Sequence, residues 1–305
     1  MYAYRAFQLL IRSEIECPEL LIEDDCLRAS DVVVQWGDVD AHGLKKPLVK
    51  KLFYQANTDS FWLNVPRVAR FLIEKGYAIT IHPEPGVDED SIRVFLLGSC
   101  FGALLMQRQA LVLHGNAIQV GDGCISFVGH SGAGKSTLSG AFLKRGYPIL
   151  ADDLCVVNSQ CHVIPSFPHI KLWLDALNKL NIAHDGFRRI RPNLEKFSVP
   201  LGAQFCAQSL PLKTVYVLHT HHQEDVKCLP ILGMKKLTPL QNNSYRMGYV
   251  KAMQQEKAHF GRTSFVAGHI DMVHVHRPQA GFKLDALVDV IEEDLAHRGL
   301  LHALV

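Results

Sequence analysis

Apolar and polar residues in the first ninety positions alternate in short runs that are typical of β-strands. Four runs carry the β-branched and aromatic residues that strands favour: residues 4–11, 31–36, 60–65 and 77–82. The turn-forming pair Gly37-Asp38 follows the second run. We therefore predict a small, β-rich N-terminal domain over residues 1–90. It contains no cluster of catalytic residue types, so we expect it to dock on the rest of the chain or to recognise a partner.

One helix is predicted within this β-rich domain. Pro66 is suited to the first turn of a helix, where its missing N–H leaves no hydrogen bond unmade. Apolar residues follow it at positions 68, 69, 71, 72 and 73, and Gly76 is suited to end the helix. We therefore expect a helix that begins at Pro66 and ends at Gly76, between the last two strands.

The pattern of apolar residues changes after residue 90. Acidic and capping residues at positions 88–91 precede the apolar segment 92–108, which predicts a helix. Two strands, at 111–120 and 124–128, are joined by a tight turn at Gly121-Asp122-Gly123. Near the end of the chain, apolar positions at helical spacing predict an amphipathic helix from Phe282 to Leu301. These elements predict a second domain over residues 91–305.

The segment Gly129-His130-Ser131-Gly132-Ala133-Gly134-Lys135-Ser136 matches the phosphate-binding pattern G-x-x-x-x-G-K-[ST], the P-loop. It follows a candidate strand and precedes residues 137–145, whose apolar positions have helical spacing, as the motif requires. Glycines let backbone N–H groups surround phosphate oxygens, and a helix N-terminus favours negative charge. Lys135 is expected to reach the β- and γ-phosphates, and Ser136 to bind Mg²⁺. A hairpin directly before the loop points away from GTPases and adenylate-kinase-like folds.

Two adjacent carboxylates interrupt the next apolar run. Residues 147–157 predict a strand, and Asp152 and Asp153 lie in its middle. Buried carboxylates are unfavourable unless cations meet them, and Mg²⁺ with a nucleotide is a natural cation here. Consecutive strand residues point to opposite faces. One aspartate is therefore expected to serve the metal or the nucleophile while the other is held by neighbouring side chains, unless the strand bends at this point.

Composition and charge exclude several classes of protein. The chain has 305 residues with 32 Lys and Arg against 30 Asp and Glu, so no overall field attracts nucleic acid or membranes. The longest apolar run, residues 94–106, is too short to span a bilayer, and no signal peptide is evident. The cysteines form no C-x-x-C pair and are expected to be buried thiols: Cys17, Cys26, Cys100, Cys124, Cys155, Cys161, Cys206 and Cys228. We expect a cytoplasmic protein.

The motifs at residues 110–157 occur at the spacing of a known family. His114-Gly115, the P-loop and Ala151-Asp152-Asp153 together resemble the C-terminal catalytic domain of bacterial HPr kinase/phosphorylase. Segments 167–173, 196–201 and 211–218 look like the HPr-kinase-related proteins, which include kinases of lasso-peptide precursors. The resemblance implies an α/β fold with the mixed sheet of the HPr kinase and phosphoenolpyruvate carboxykinase P-loop domain. It also implies ATP and Mg²⁺ as cofactors and a hydroxyl as phosphate acceptor.

This chain departs from the family in two respects. The glycine-rich segment that follows the A-D-D strand in HPr kinases and is tied to phosphorolysis is not found, and residues 1–90 do not resemble their N-terminal domain. The resemblance therefore implies neither HPr as substrate nor the reverse reaction. It leaves open whether the chain forms a homo-oligomer.

The resemblance implies a role for each residue of the motifs. The triphosphate would be held by the loop and the start of the helix: Gly129, Ser131, Gly132, Ala133, Gly134, Lys135, Ser136 and Thr137. Asp152 is expected to be the base that accepts the hydroxyl proton, with Asp153 binding Mg²⁺ beside Ser136 or orienting Asp152. These two assignments could be exchanged. His114 is expected near the γ-phosphate as a donor or charge partner.

Several basic residues and histidines are weaker candidates. Lys171 lies in the apolar stretch 170–173, where its charge needs a phosphate or an exit to solvent. The basic cluster at 188–191, Lys196 and Arg246 could meet an acidic peptide or phosphates, or could be solvated. The histidines at 219–222 and 274–276 have no cysteine or carboxylate at ligand spacing, so we do not expect zinc there.

Three functions are consistent with the sequence. The first is an ATP-dependent, Mg²⁺-requiring kinase that phosphorylates a hydroxyl, most directly the serine of a peptide or protein. The second is an ATP-binding regulatory or assembly module that hydrolyses ATP slowly or not at all. The third is a kinase of a small hydroxylated metabolite, and the sequence does not separate it from the first.

Overall fold

A computed structural model of the chain contains three β-sheets, with helices between and around them. The model describes residues 1–24, 28–223, 225–279 and 283–301. Cys26 and Phe282, which enter the predictions above, lie outside the described residues. The fold is of the mixed α/β class, as the sequence predicts.

The first sheet is formed from the N-terminal part of the chain, in the strand order β3-β1-β2-β4-β9-β8-β7-β6-β5. Its strands are β1 (Tyr2–Ala6), β2 (Leu9–Ser13), β3 (Leu21–Ile22), β4 (Val32–Trp36), β5 (Val49–Lys50), β6 (Tyr54–Ala56), β7 (Ser60–Val65), β8 (Ala69–Glu74) and β9 (Ala78–Pro83). Three of the predicted strands are therefore confirmed, while the first, predicted as one strand over residues 4–11, is interrupted by a turn and forms the hairpin β1–β2. Phe7 and Gln8 form its two-residue turn with φ of 53° and 60°.

The predicted helix at Pro66 is wrong, because residues 66–68 form a turn and β8 follows. Arg67 has a φ of 63°, which lets the chain reverse direction. Ala69, Phe71 and Ile73 are fully buried and alternate with partly exposed residues. This spacing of two residues is that of a strand with one buried face, and it outweighs the preference of proline for a helical first turn.

The predicted helix after residue 90 is confirmed in its position. It consists of α1 (Glu89–Phe95), a π-helical turn (Leu96–Cys100) and α2 (Phe101–Gln107). Asp88 caps α1 by accepting a hydrogen bond from the Ser91 backbone N–H at 2.7 Å. Side chains of both helices pack in one hydrophobic core with the first sheet. A domain boundary at residue 90 stays a prediction, and side-chain packing crosses that position.

The second sheet is mixed and carries the phosphate-binding motif. Its strands are β10 (Leu111–Val120), β11 (Gly123–Gly129), β12 (Ile149–Ala151), β13 (Leu154–Val157), β14 (His162–Ile164), β18 (Leu210–His221), β19 (Lys227–Pro230) and β20 (Asp271–Pro278). β10 and β11 form the predicted antiparallel hairpin. On its other side β11 runs parallel to β18, which runs parallel to β20. Both faces of these strands are buried, as is usual for parallel pairs.

Helices and a small third sheet cover the two faces of the second sheet. The third sheet has the order β15 (His169–Trp173), β17 (Lys196–Pro200), β16 (Arg188–Arg189). The helices are α3 (Lys135–Lys144), α4 (Leu174–Lys179), α5 (Leu237–Asn242), α7 (Glu256–His269) and α8 (Leu284–His297), whereas α6 (Met247–Ala252) packs in the core of the first sheet. One face of the second sheet packs against α3, α4, α8 and β15, and the other against α5 and α7. The end of β11 therefore opens onto the layer that contains α3.

The predicted closing helix and the expected burial of the cysteines are also observed. Leu287, Val288, Ile291 and Leu295 of α8 are buried at helical spacing against the second sheet. Of the cysteines that the structure describes, all are free thiols, and each is buried except Cys228, which is half-buried. In the described part of the chain, we find no helix whose length and apolar content would allow it to cross a bilayer.

Candidate functional site

The loop between β11 and α3 curves through three glycines whose φ is positive. Gly129, Gly132 and Gly134 have φ of 151°, 83° and 95°, a range that residues with a side chain rarely adopt. A Cβ on Gly129 would also lie 2.9 Å from the carbonyl oxygen of Leu218 on the neighbouring strand. The glycines therefore allow the tight passage from the end of β11 into the first turn of α3.

Lys135 is the first residue of α3, and its ammonium group lies across this loop. Its Nζ donates to the carbonyl oxygens of Gly129 at 2.8 Å and His130 at 3.2 Å. Burial lowers the pKa of Lys135, while the negative charges of Asp153 and Asp152 act in the opposite direction. The loop thus holds a buried cation where a phosphate group would need a charged donor.

Asp152 lies directly behind the start of α3. Its Oδ1 accepts a hydrogen bond from the Ser136 hydroxyl at 3.3 Å, and its Oδ2 accepts one from the backbone N–H of Lys171 at 2.8 Å. Only 4% of the residue is exposed. Burial, and then the charge of Asp153, raise the pKa of Asp152. A hydroxyl and a carboxylate oxygen in contact are suitable ligands for Mg²⁺. The ion would also offset the negative charge of the buried carboxylate.

The strand predicted over residues 147–157 is broken at its two carboxylates. β12 ends at Ala151 and β13 begins at Leu154, and Asp153 between them has a φ of 71°. The carboxylates do not lie on opposite faces of a continuous strand, because both line the same cleft. The alternative of a bend at this point is confirmed. Aspartate tolerates the left-handed conformation better than most residues, which explains how the bend is accommodated.

Asp153 is held between two basic side chains. Its Oδ1 lies 3.1 Å from His114 Nδ1, and its Oδ2 lies 3.7 Å from Lys171 Nζ. Burial acts to raise the pKa of Asp153, but the hydrogen bond from His114 and the charge of Lys171 outweigh it and hold the pKa well below its usual value. The lowered pKa favours the ionised carboxylate, and the side chain, which is 30% exposed, is accessible from the cleft.

A cleft of about 660 Å³ contains most of the predicted site residues. Those that line it are His114, Ser131, Gly132, Gly134, Lys135, Ser136, Thr137, Asp152 and Asp153. The loop also contains Gly129 and Ala133, which do not line this cleft. Lys196, a weaker candidate, also lines it and places its ammonium 5.6 Å from the centroid of the Trp173 ring. Trp173 is half exposed at the same cleft and was not predicted.

β10 places His114 opposite the bend. The His114 backbone N–H donates to the carbonyl oxygen of Asn243 at 2.7 Å, and its strand pairs with β13 at Leu154. Asn116, two residues further along β10, also lines the cleft and donates to Ser139 of α3 at 3.0 Å. The spacing of two residues from His114 would have identified Asn116 from the sequence, because such residues share a face of a strand.

Gly115 keeps β10 close to β11 beside His114, and we predict that Gly115→Ala is destabilising. A Cβ at this position would lie 2.6 Å from the carbonyl oxygen of Phe127, so one strand must move. Overpacking of this kind is expected to lower the free energy of unfolding by about 1–3 kcal/mol, measured by urea denaturation.

The control for this change is Gly261→Ala in the middle of α7. A Cβ there meets nothing within 4 Å, and alanine favours helices, so stability should stay equal or increase by up to about 1 kcal/mol. If Gly115→Ala were as stable as the parent protein, the close approach of β10 and β11 would not restrict this position.

The guanidinium group of Arg277 binds the loop between β11 and α3. Arg277 was not predicted as a site residue. Its guanidinium donates to the carbonyl oxygen of Ala133 from Nε at 3.1 Å and from Nη2 at 2.9 Å. A Cβ on Gly134 would lie 3.3 Å from Nη2. Arg277 belongs to β20, 144 positions away from Ala133, and no local pattern marks it. Its charge lies next to the glycine loop between β11 and α3.

The basic cluster at residues 188–191 lies outside the cleft. Arg188 forms an ion pair with Asp90 at 3.4 Å, and the guanidinium carbons of Arg189 and Arg191 lie 5.7 Å from the ring centroids of Phe197 and Phe95. These contacts favour a structural role. Arg246, in contrast, lines a second cleft that meets the first at His114 and Asp153.

The histidines of β18 and β20 cluster on adjacent strands. His219 Nε2 lies 2.9 Å from His274 Nδ1, and the His219 and His276 rings stack at 5.1 Å between centroids. Burial, and then the nearby His274 and His276, lower the pKa of His219 to about 4. In the part of the chain described, no group of three or more His, Cys, Asp or Glu side chains is arranged to hold a metal ion.

Neither a protein-family model nor a curated protein matches this chain. Among solved structures, the chain is similar to the Hpr(Ser) kinase/phosphatase from Coxiella burnetii. The alignment covers 61% of this chain and 98% of that chain, with 13% sequence identity and a TM-score of 0.30. The function of this chain therefore has to be inferred from its own cleft.

Proposed function

We propose that this protein is an ATP-dependent kinase that transfers the γ-phosphate to a hydroxyl, most directly the serine of a peptide or protein. The observation that carries the proposal is the convergence of three groups in one cleft: the loop with Lys135, the Ser136–Asp152 pair and the His114–Asp153 pair. The motif resemblance over residues 110–157 supports the same function.

The residues of the cleft fit ATP and Mg²⁺. The glycine loop and Lys135 would hold the phosphates, and Ser136 with Asp152 would hold Mg²⁺, which neutralises charge on the transferring phosphoryl group. Trp173 is half exposed in the same cleft, so the face of its ring that does not meet Lys196 could stack on a purine base. Arg277 fixes the Ala133 carbonyl and thereby the shape of the loop.

The contacts favour exchanging the roles that the sequence suggested for the two aspartates. Asp152 is nearly inaccessible and hydrogen-bonded to Ser136, so we assign it to the metal side. Asp153 is more exposed and lines both clefts, so a hydroxyl that enters beside His114 would reach Asp153 first. We therefore assign Asp153 as the group that accepts the hydroxyl proton.

His114 and Lys171 are assigned to positioning and charge. His114 is 37% exposed and bonded to Asp153, so it can orient that carboxylate, and in its doubly protonated form its second ring nitrogen can donate to a phosphoryl oxygen. Lys171 keeps its charge, because burial lowers its pKa less than the charges of Asp153 and Asp152 raise it. Together with Lys135 it offsets the charges of the two carboxylates, so that Lys196, which also lines the first cleft, and a bound Mg²⁺ would meet the negative charge of a triphosphate.

The test is incubation of the purified protein with Mg²⁺ and γ-labelled ATP in the presence of a serine-containing peptide library, free serine and simple sugars. We expect label in an acid-stable phosphoserine peptide. Label only in free serine or a sugar would favour a metabolite kinase. Saturable ATP binding with no labelled product from any acceptor would favour the regulatory module and contradict the kinase proposal.

A further inference from the structure

A second cleft, of about 350 Å³, lies on the other side of the His114–Asp153 pair. It shares His114, Ser131 and Asp153 with the first cleft, so the two meet at the proposed reaction centre. Its remaining walls are Gly129 and His130 of the loop and the segment 242–246. If the first cleft holds the nucleotide, the second is where an acceptor would approach Asp153.

The segment that forms the far wall is fixed to the strand that carries His114. The His114 N–H donates to Asn243 at 2.7 Å, and the Tyr245 N–H donates to the Val112 carbonyl oxygen at 2.8 Å. The His114 and Tyr245 rings lie 5.9 Å apart. Arg246 follows directly, so β10 determines its position relative to His114.

Arg246 presents the N–H donors of its guanidinium group to this cleft. Its guanidinium carbon lies 5.5 Å from the ring centroids of both Tyr245 and Tyr249, and Nε donates to the Tyr245 hydroxyl at 3.3 Å. Among the residues that the structure describes, no carboxylate lies within ion-pair distance of it, and its two terminal nitrogens have no hydrogen-bond partner. Stacking therefore fixes the plane of the guanidinium and leaves the donors that bind an oxyanion in bidentate fashion.

The backbone at Arg246 also favours a functional explanation. Arg246 has a φ of 42° and a ψ of 61°, a left-handed conformation that is unfavourable for a long side chain. Glycine or asparagine would adopt it more easily. Asp153, across the same cleft, is left-handed as well. Strained residues that face each other across a cleft are typical of sites where side-chain position matters.

We infer that this second cleft binds the hydroxyl acceptor and that Arg246 selects acceptors carrying a carboxylate or phosphate near the hydroxyl. The inference rests on the proposed kinase function, because only a phosphate-transferring enzyme has a hydroxyl acceptor. The binding of the anionic group itself depends only on the second cleft. An acceptor without an oxyanion would make no contact with the terminal nitrogens of Arg246, so Arg246 would not favour it over other acceptors.

The transfer experiment compares matched acceptors that differ only in charge. N-acetylserine is compared with N-acetylserinamide, and the peptide acetyl-Ala-Ser-Asp-Ala-amide with its Asn counterpart. For the parent protein we expect kcat/KM to be roughly 10- to 100-fold higher for the acidic member of at least one pair. The pair that shows the preference tells whether the anion belongs to a small molecule or to a peptide side chain.

Arg246→Gln is expected to reduce this preference to about one, while transfer to the neutral acceptors continues. Glutamine has the same backbone preference as arginine, so the local strain is unchanged. Arg246→Lys keeps the charge without the planar fork and should retain a smaller preference. The control is Arg262→Gln, which removes an arginine that also has no carboxylate partner among the described residues but lines a different cavity. It should leave the preference intact.

A binding measurement separates this inference from the kinase proposal. In a Lys135→Ala background, which disables the phosphate loop, ligand-observed NMR measures binding of N-acetylserine. The dissociation constant should rise at least tenfold on adding Arg246→Gln and stay unchanged on adding Arg262→Gln. An Arg246-dependent affinity, combined with no transfer to any acceptor by the protein that retains Lys135, would refute the kinase proposal only. Equal binding with and without Arg246, or an unchanged acid-to-amide ratio in Arg246→Gln, would overturn the anion site even if transfer persists.

Discussion

Lys135→Ala is expected to remove ATP binding and phosphoryl transfer together. The Lys135 ammonium is the buried cation held over the glycine loop, and it would contact the β- and γ-phosphates in both the ground and the transition state. Loss of one such charged donor lowers kcat/KM by roughly 10²- to 10³-fold or more. The measurement is phosphate transfer from labelled ATP together with calorimetric titration of Mg²⁺–ATP.

The same helix offers a matched control. Lys144 lies at the C-terminal end of α3 and, like Lys135, donates to a backbone carbonyl, that of Leu180 at 2.8 Å. Lys144→Ala therefore removes an equal charge and one comparable hydrogen bond, away from the loop. It should bind ATP as the parent protein does. If both variants bound ATP with parental affinity, the loop would not be the phosphate site and the kinase proposal would fail.

The parts of the site that the sequence could predict are those encoded by neighbouring residues. The loop follows from eight consecutive residues, because its glycines and the start of α3 are a local property. The hairpin β10–β11 is predicted by the turn residues Gly121-Asp122-Gly123, which join its two strands. The strand β8 is also encoded locally, since Ala69, Phe71 and Ile73 alternate with less buried residues, but Pro66 before it favours the first turn of a helix.

The parts that the sequence could not supply depend on contacts between distant segments. Arg277 reaches the loop because β18 pairs with both β11 and β20, and that register is not visible in any local pattern. Arg246 lies at its cleft because residues 243–245 bond to β10. Whether Asp152 and Asp153 line the same cleft depended on whether the strand bends, which both residues permit and neither dictates. Local patterns therefore predict the glycine loop and its lysine, whereas pairing between distant segments determines which residues line the second cleft.

The role of each aspartate can be tested by comparing Asp153→Asn with Asp152→Asn. If Asp153 accepts the hydroxyl proton, Asp153→Asn should lower kcat by roughly 10²- to 10⁴-fold and leave the affinity for Mg²⁺–ATP nearly unchanged. Asparagine also tolerates the φ of 71° at this position, so the bend should persist. Asp152→Asn should instead raise the Mg²⁺ concentration required for half-maximal rate, because Ser136 would lose its carboxylate partner.

Stability measurements provide an independent check on the same two variants. Asp153→Asn leaves Lys171 without its ion-pair partner, so it should lower the free energy of unfolding at neutral pH. Asp152 is buried and its pKa is raised by burial and by Asp153, so its charge opposes folding and Asp152→Asn should be neutral or stabilising. A Mg²⁺ requirement altered by Asp153→Asn, combined with a loss of kcat at saturating Mg²⁺ in Asp152→Asn, would restore the opposite assignment. In that case the acceptor hydroxyl would have to approach Asp152 through the first cleft, beside Ser136, and the second cleft would not lead to the base.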